Sequence, residues 1–241
     1  MNRRTGLISL VALPMLLLAG CLPLTPVPNS HTPEASPSSS GPASDGDETA
    51  PPEAGDNVIS SKLGCDWRIP SSTVVCSVSH PMTPPIAAPP VPPVPYLYAI
   101  GEGTHPDNSP PYDQLSFRFK GGFPSYSIDY VNQLAMDGSG SPVPLPGAGS
   151  IVRVVFRDAQ AHDENGESTV VSAPPTTIGH QAISRWASAG DFEGTLTFGI
   201  GIGGSGDVGI RVPLRVYEVE KIELGQHLYV VAIQMDQSHW R

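Results

Sequence analysis

Alternation of apolar and polar residues marks the chain after residue 95. Between positions 115 and 120, large apolar side chains alternate with polar ones, as in a strand that buries one face. Helical periodicity is scarce, and the best case is a short turn at 177–182. The pattern predicts an all-β fold, a single antiparallel β-sandwich domain over 96–241. Its other predicted strands, separated by Gly, Pro and Asp clusters, lie at 96–100, 126–131, 151–156, 196–202, 210–217 and 228–235.

A different pattern occupies the first 21 residues. Two arginines precede an apolar run from Leu7 to Leu18, and small residues lead to Cys21. The run is too short for a membrane-spanning helix and contains Pro14, which indicates an export signal. The ending Leu18-Ala19-Gly20-Cys21 resembles the lipobox of bacterial lipoproteins, which are lipidated on the cysteine and cut just before it. The alternative is an ordinary signal peptide that is cleaved near a cysteine.

The lipobox resemblance implies a location for the protein. Residues 1–20 are then a lipoprotein signal peptide, and Cys21 carries palmitate and related acyl chains. We therefore expect an exported protein that is lipid-anchored to the outer face of the cell membrane.

Three further segments precede the predicted domain. Residues 21–56 are rich in Pro, Ser, Thr, Gly and acidic side chains, which predicts a disordered linker. Residues 57–80 place apolar side chains on both sides of Pro70-Ser71-Ser72, which predicts a small hairpin. Residues 81–95 form a Pro-rich spacer, extended like polyproline II; a ligand for aromatic grooves is the alternative.

Cysteine usage agrees with export. If Cys21 carries lipid, Cys65 and Cys76 remain as an even pair in a compartment that permits disulfides. We predict a Cys65–Cys76 bridge that closes the hairpin; a pair of reduced, buried thiols is the alternative.

The charge balance argues against two classes of partner. The chain holds 13 basic and 23 acidic side chains, a formal net charge of −10. Loss of Arg3 and Arg4 with the signal changes this value to −12. A chain this acidic, with no basic run, is a poor candidate for nucleic acid or for a polybasic contact with anionic lipid. Attachment to the membrane therefore depends on acyl chains at Cys21.

A glycine-rich stretch matches a dinucleotide-binding pattern. Gly199, Gly201 and Gly204 fit G-x-G-x-x-G. The dinucleotide fold needs a helix after this loop to receive the pyrophosphate, yet the chain leads directly into the strand-like Ile210-Arg211-Val212. We interpret the stretch as a strand followed by a flexible loop, and expect no nucleotide and no cofactor.

Two acidic groups are candidates for chemistry. His162 and Asp163 open a turn rich in carboxylates, but its spacing does not supply a calcium site alone. Asp191 and Glu193 are expected on one face of an extended strand, with Phe192 facing the core. Such a pair can serve acid–base or glycosidic chemistry, or can pair with a base such as Arg185 or Arg153.

We favour a structural or ligand-contact role for these residues over catalysis. No catalytic residue and no metal site is predicted, because no histidine has paired-ligand spacing and no G-x-S-x-G motif is present. The candidate ligand-binding surface comprises Asp191, Glu193, Arg185, His162 and Asp163.

Five motifs follow one another along the predicted domain: Tyr112–Phe117, Tyr126–Val131, Asp137–Gly140, His162-Asp163 and Gly190–Gly201. Together they resemble the AMIN-like domain of actinobacterial lipoproteins and secreted envelope proteins, over Tyr96 to Met235. An Arg commonly follows the Asp at Asp113 in that family, so Gln114 is a departure. AMIN domains proper are small β-sandwiches that localise envelope proteins and are proposed to bind cell-wall polymers such as peptidoglycan. The resemblance implies a targeting or binding module without a catalytic set to transfer.

The combined expectation is a membrane-anchored envelope lipoprotein whose sandwich domain binds or localises to cell-wall polymer and is not an enzyme. One alternative is a carbohydrate-active enzyme using Asp191 and Glu193. The other is a protein–protein interaction module of the envelope.

Overall fold

The computed structural model describes residues 57–82 and 94–241. The predicted signal peptide, Cys21, the linker and most of the Pro-rich spacer lie outside these residues. The described chain forms one short 3-10 turn, Ser238–Trp240. Its strands are β1 (Asn57–Arg68), β2 (Cys76–Val78), β3 (Tyr96–His105), β4 (Tyr112–Lys120), β5 (Ser125–Val131), β6 (Leu134–Ala135), β7 (Pro142–Val143), β8 (Ser150–Arg157), β9 (Ile183–Phe192), β10 (Thr195–Ile202), β11 (Leu214–Glu223) and β12 (Gln226–Asp236).

Two antiparallel sheets face each other across one core. Sheet A has the order β1-β11-β12-β4-β3, sheet B has the order β2-β5-β8-β10-β9, and β6 and β7 form a separate ribbon. The prediction of an all-β antiparallel sandwich is confirmed. The helical turn predicted at 177–182 is wrong, because Thr177 bridges to Arg185 and the segment forms no helix. In the described part of the chain, no helix has the length and hydrophobicity that a membrane crossing requires.

Alternation along the strands sorts side chains between the core and the outer faces. In β12, Val231 and Ile233 join the main core, whereas Val230 and Ala232 belong to a smaller cluster on the outer face of sheet A. Burial of each large core side chain contributes about 1.5–3 kcal/mol. The centre of the core is a set of aromatic rings in mutual contact, Phe117, Phe119, Phe156 and Phe198.

The segment 57–80 contains the predicted disulfide but not the predicted hairpin. Cys65 and Cys76 are bridged, with Cα atoms 6.0 Å apart, so the disulfide prediction is confirmed. The two strands of the segment do not pair with each other: β1 pairs with β11 of sheet A, and β2 pairs with β5 of sheet B. Each strand gains more hydrogen bonds and packing from an established sheet than an isolated two-stranded hairpin could give it. The disulfide therefore links the two sheets.

The β6–β7 ribbon packs against glycines of β10. A Cβ atom on Gly199 would clash with Leu134 of β6, and one on Gly201 would lie 2.8 Å from Cβ of Ala148. The ribbon therefore lies directly on the outer face of sheet B, which only residues without side chains permit at these positions. β10 ends at Ile202 and no helix follows it, so the interpretation of the glycine-rich motif as a strand and a loop is confirmed.

Candidate functional site

A pocket of about 390 Å³ opens between the two sheets, at the edges formed by β3 and β9. Strand β3 contributes Leu97 and Ile100, and the loop after β8 contributes Val170 together with His162. The remaining wall comes from β9 and β10. The pocket is mostly apolar, with a few polar groups at one end, which is the composition typical of small-ligand sites.

Asp191 and His162 form the polar end of this pocket. Oδ2 of Asp191 accepts hydrogen bonds from Nδ1 of His162 at 2.6 Å and from the backbone N–H of Ala161 at 3.0 Å. Because an ionised carboxylate only accepts, Nδ1 carries the proton, and Nε2 of a neutral ring is an acceptor. The side chains of Asp191 and His162 are 25% and 31% exposed, so a ligand can reach both.

Two buried acceptor atoms near this end have no hydrogen-bond partner among the described residues. They are Oδ1 of Asp191 and Oε1 of Gln160. The amide of Gln160 donates through Nε2 to the carbonyl oxygen of His162 at 2.7 Å, which holds the loop at the pocket. Buried acceptors are normally hydrogen-bonded, so a ligand that supplies O–H or N–H donors is favoured here.

Two aromatic rings, Trp186 and Phe198, form another part of the pocket wall. Trp186 packs against Phe198 with ring centroids 6.2 Å apart, and its Nε1 donates to the carbonyl oxygen of Pro175 at 3.2 Å. This hydrogen bond and the ring contact fix the orientation of the indole. The flat apolar surface of the Trp186 indole therefore lines the same pocket as the carboxylate of Asp191.

Asp163 stabilises the adjacent turn and does not line the pocket. Its Oδ1 accepts hydrogen bonds from the backbone N–H groups of Glu167 and Asn165 at 2.9 and 2.8 Å. These two bonds hold the pKa of Asp163 below its usual value. In residues 57–82 and 94–241, no group of three or more His, Cys, Asp or Glu side chains has the arrangement of a metal site.

Glu193 and Arg185 also lie outside the pocket lining. β9 ends at Phe192, and Glu193 and Gly194 form the turn to β10 with φ of +47° and +74°. The expectation that Phe192 faces the core is wrong, because 52% of its surface is exposed. Arg185 lies on the face of β9 opposite to Trp186, where Nε is buried without a hydrogen-bond partner among the described residues. Asp191 pairs with His162 rather than with a base of this strand.

Asp113, the aspartate of the motif Tyr112–Phe117, has a structural role. Asp113 is fully buried, and its Oδ2 accepts hydrogen bonds from the backbone N–H groups of Ala182 and Ile183 at 2.6 and 3.1 Å. It thereby holds the start of β9 against β4. The neighbouring Gln114 points to the outer face of sheet A, where its Oε1 accepts from Nε2 of Gln234 at 2.6 Å.

Sequence analysis did not find two members of the site, Trp186 and Gln160. The sequence carries no motif around either residue. Only the pairing of β9 with β10, which sets Trp186 opposite Ile200, brings the indole into the space between the sheets. A lone tryptophan in a strand of mixed polarity is the one signal that could have pointed to it.

A family model for the AMIN-like domain matches residues 98–223, more than half of the chain. The chain belongs to the AMIN-like family. The resemblance of the motifs to the AMIN-like domain is therefore confirmed, and membership indicates a binding module associated with the cell envelope. Comparison with curated proteins and with solved structures finds no match.

The family match covers the pocket and the ribbon but not every strand of the sandwich. It begins within β3 and ends at the last residue of β11. Most pocket residues, including Trp186 and the His162–Asp191 pair, lie inside the match. The first two strands and β12 lie outside it, although they complete both sheets.

Proposed function

We propose that this AMIN-like protein is a non-catalytic, lipid-anchored lipoprotein that binds a cell-wall polymer. Its glycan would enter the pocket between β3 and β9. The observation that carries the proposal is the presence of Trp186, with its flat apolar surface, beside the buried, unpartnered Oδ1 of Asp191. A sugar ring offers one apolar C–H face and several hydroxyl donors, and so complements both features.

Anchoring is the second part of the proposal. The sequence Leu18–Cys21 motivates it, with acyl chains on Cys21 and residues 22–56 as a tether. Two or more acyl chains hold a protein stably at a membrane, whereas one holds it only marginally. Replacement of Cys21 by Ala should move the protein from the membrane fraction of cells to the soluble or secreted fraction. Equal membrane retention of both forms would refute lipidation at this position.

Retention on purified cell wall tests the binding proposal. The full mature chain is required, because a fragment that starts at Tyr96 lacks β1 and β2. Loss of one hydrogen bond to a charged group or of one aromatic contact should lower retention about tenfold in Asp191→Asn and in Trp186→Ala. Glu193→Gln and Trp67→Ala are the matched controls, since both residues lie outside the pocket lining, and they should bind like the parent.

The same experiment separates the rival functions. Equal retention of all four variants, or none for the parent above an unrelated acidic protein, would exclude wall binding through this pocket. Release of soluble saccharide from the wall by the parent, lost in Asp191→Asn at an unchanged thermal midpoint, would instead indicate an enzyme. Oδ2 of Asp191 is already held by two donors, and Glu193 lies in a turn, which supports binding over that chemistry.

A further inference from the structure

A second pocket, of about 500 Å³, lies on the outer face of sheet B. Strands β5, β8 and β10 form its floor, and β6 with the loop that follows it forms one wall. None of the residues that line it also lines the pocket of His162 and Asp191. Its size is that of a site for a small ligand, so its chemistry was considered separately.

The register of sheet B sets the side chains of the pocket floor next to one another. Arg157 of β8 pairs with Thr195 of β10, and Val155 stands between Ser127 of β5 and Thr197 of β10. The residues that alternate with these five along their strands belong to the core, so the five side chains point outward. A cation and three hydroxyl groups thus surround one valine on a rigid sheet.

Arg157 offers hydrogen-bond donors at one end of this floor. Its Nη1 donates to Oγ of Ser127 at 3.2 Å, and it forms no ion pair with any described residue. The side chain is exposed, so its other N–H groups are open to a ligand. Because Ser127 accepts from Arg157, its own O–H remains to donate, and the hydroxyl of Thr195 has no hydrogen bond within the described part of the chain.

The two carboxylates beside the pocket are already engaged. Oδ1 and Oδ2 of Asp129 accept from Nε and Nη2 of Arg153, each at 3.0 Å, which fixes that guanidinium at the other end of the floor. Oδ1 of Asp137 accepts from Oγ1 of Thr197 at 3.0 Å, and its Oδ2 is buried. The open polar groups of the pocket are therefore mainly donors, which favours an anionic ligand.

The arrangement of the donors favours a phosphate over a carboxylate. A planar carboxylate is matched by the guanidinium fork alone, whereas a phosphate directs three oxygens to different sides. Here the donors come from three adjacent strands, with Ser127 and Thr195 on either side of Arg157. Val155 and Met136, the latter 41% exposed, add apolar surface that a small carbon skeleton can contact.

We propose that this pocket binds the phosphate ester of a sugar or polyol. The phosphate oxygens accept from Arg157, Ser127 and Thr195, and the carbon skeleton lies along Val155 towards Arg153. The net charge of −10 repels anions at a distance, so these direct contacts carry the binding. The proposal does not depend on glycan binding in the pocket between β3 and β9.

Titration of the full mature chain with glycerol 3-phosphate, followed by nitrogen–proton correlation NMR, tests the proposal. We expect saturable shifts of the side-chain Nε–H of Arg157 and of the backbone amides of Ser127 and Thr195. The indole N–H of Trp186, in the other pocket, should not respond. Glycerol, which has the same skeleton without the phosphate, should cause none of these shifts.

Variants locate the contacts. Arg157→Gln removes charged hydrogen bonds and should weaken binding about tenfold. Arg68→Gln is the matched control, because Arg68 is also exposed but lies on β1 at the edge of sheet A, and it should bind like the parent. Thr195→Val keeps the shape of the side chain without the hydroxyl and should weaken binding several-fold. Thermal midpoints close to that of the parent would show that folding is intact.

Several outcomes would overturn the proposal. No saturable shift at the pocket would exclude binding there, and equal weakening in Arg157→Gln and Arg68→Gln would indicate unspecific attraction to positive charge. Glucuronate bound as tightly as glycerol 3-phosphate would contradict the preference for phosphate. Inorganic phosphate bound as tightly would contradict the contact with the carbon skeleton.

Asp191→Asn separates this site from the proposed glycan site. It should lower retention on cell wall and leave the binding of glycerol 3-phosphate unchanged. A shift of the Trp186 indole N–H, or weaker phosphate binding in Asp191→Asn, would instead place the phosphate ester in the pocket between β3 and β9. Either proposal can therefore fail while the other stands.

Discussion

Removal of the Cys65–Cys76 bridge should lower stability without changing the native fold. The disulfide ties β1 at the edge of sheet A to β2 at the edge of sheet B, across a sequence separation of 11. β1 already pairs with β11 along most of its length, so the folded state does not need the bridge for its geometry. The main effect is then on the unfolded chain, whose entropy rises because the bridge no longer closes a loop of about a dozen residues. This effect is worth about 3 kcal/mol.

Urea denaturation of Cys65→Ala/Cys76→Ala, followed by tryptophan fluorescence, measures this loss. With a slope near 2 kcal/mol per molar urea, a change of about 3 kcal/mol moves the midpoint down by roughly 1.5 M. The parent protein in reductant is the matched control, because it loses the bridge but keeps both sulfur atoms. Both forms should unfold at nearly the same urea concentration.

Two results would refute this reasoning. A midpoint shift below about 0.5 M would mean that the bridge hardly restrains the unfolded chain. Fast amide exchange confined to residues 57–68 in the alanine variant would mean that the bridge holds β1 in place in the folded state. In that case the pairing with β11 is weaker than its length suggests.

Three other changes probe the contacts described above. Gly190→Ala places a methyl group against the Asp137 side chain, and thermal melts should show a free energy of unfolding lower by about 1–3 kcal/mol. Gly206→Ala, with open space around it, is the control and should leave the free energy of unfolding unchanged. Asp113→Asn replaces the carboxylate that accepts two backbone N–H groups at the start of β9 by an amide, which is a weaker acceptor, so we expect a loss of about 2 kcal/mol in urea titrations. An unchanged midpoint would contradict the role of Asp113 in holding that strand. The pKa of Glu223 is lowered from 4.5 in the folded protein, so the stabilisation from this carboxylate is present above pH 4.5 and is lost as the pH falls through the lower folded value. The difference in unfolding free energy between the parent and Glu223→Gln should therefore shrink over that pH range. A constant difference would argue against the ion pairs.

Much of the sandwich follows from local patterns. Strands β4, β5, β8, β10 and β12 lie within a few residues of their predicted positions, because alternation and β-branched content act over short stretches of chain. Two long strands are exceptions. β9 is not among the predicted strands. The strand expected from 210 begins only at Leu214, directly after Pro213, which cannot donate to a ladder. Cys65 and Cys76 could be paired by counting once Cys21 was set aside as the expected lipidation site.

The candidate site shows where local patterns fail. Asp191 and Glu193 are two residues apart, yet the turn after Phe192 separates their environments. His162, 29 residues from Asp191 along the chain, is its hydrogen-bond partner. Sequence spacing could not predict this pairing, because it depends on how the loop after β8 folds back over the edges of β3 and β9.

The sequence by itself indicated the fold class through its short-range periodicity, the family through the resemblance of its motifs, and the disulfide through the even cysteine pair that remains if Cys21 carries lipid. The tertiary structure alone decided that β1 and β2 join opposite sheets, that the glycine-rich motif receives the ribbon, and that Trp186 shares a pocket with Asp191. These features arise from contacts between residues distant in sequence. Such contacts follow from strand order and sheet packing, which hydrophobic periodicity does not specify.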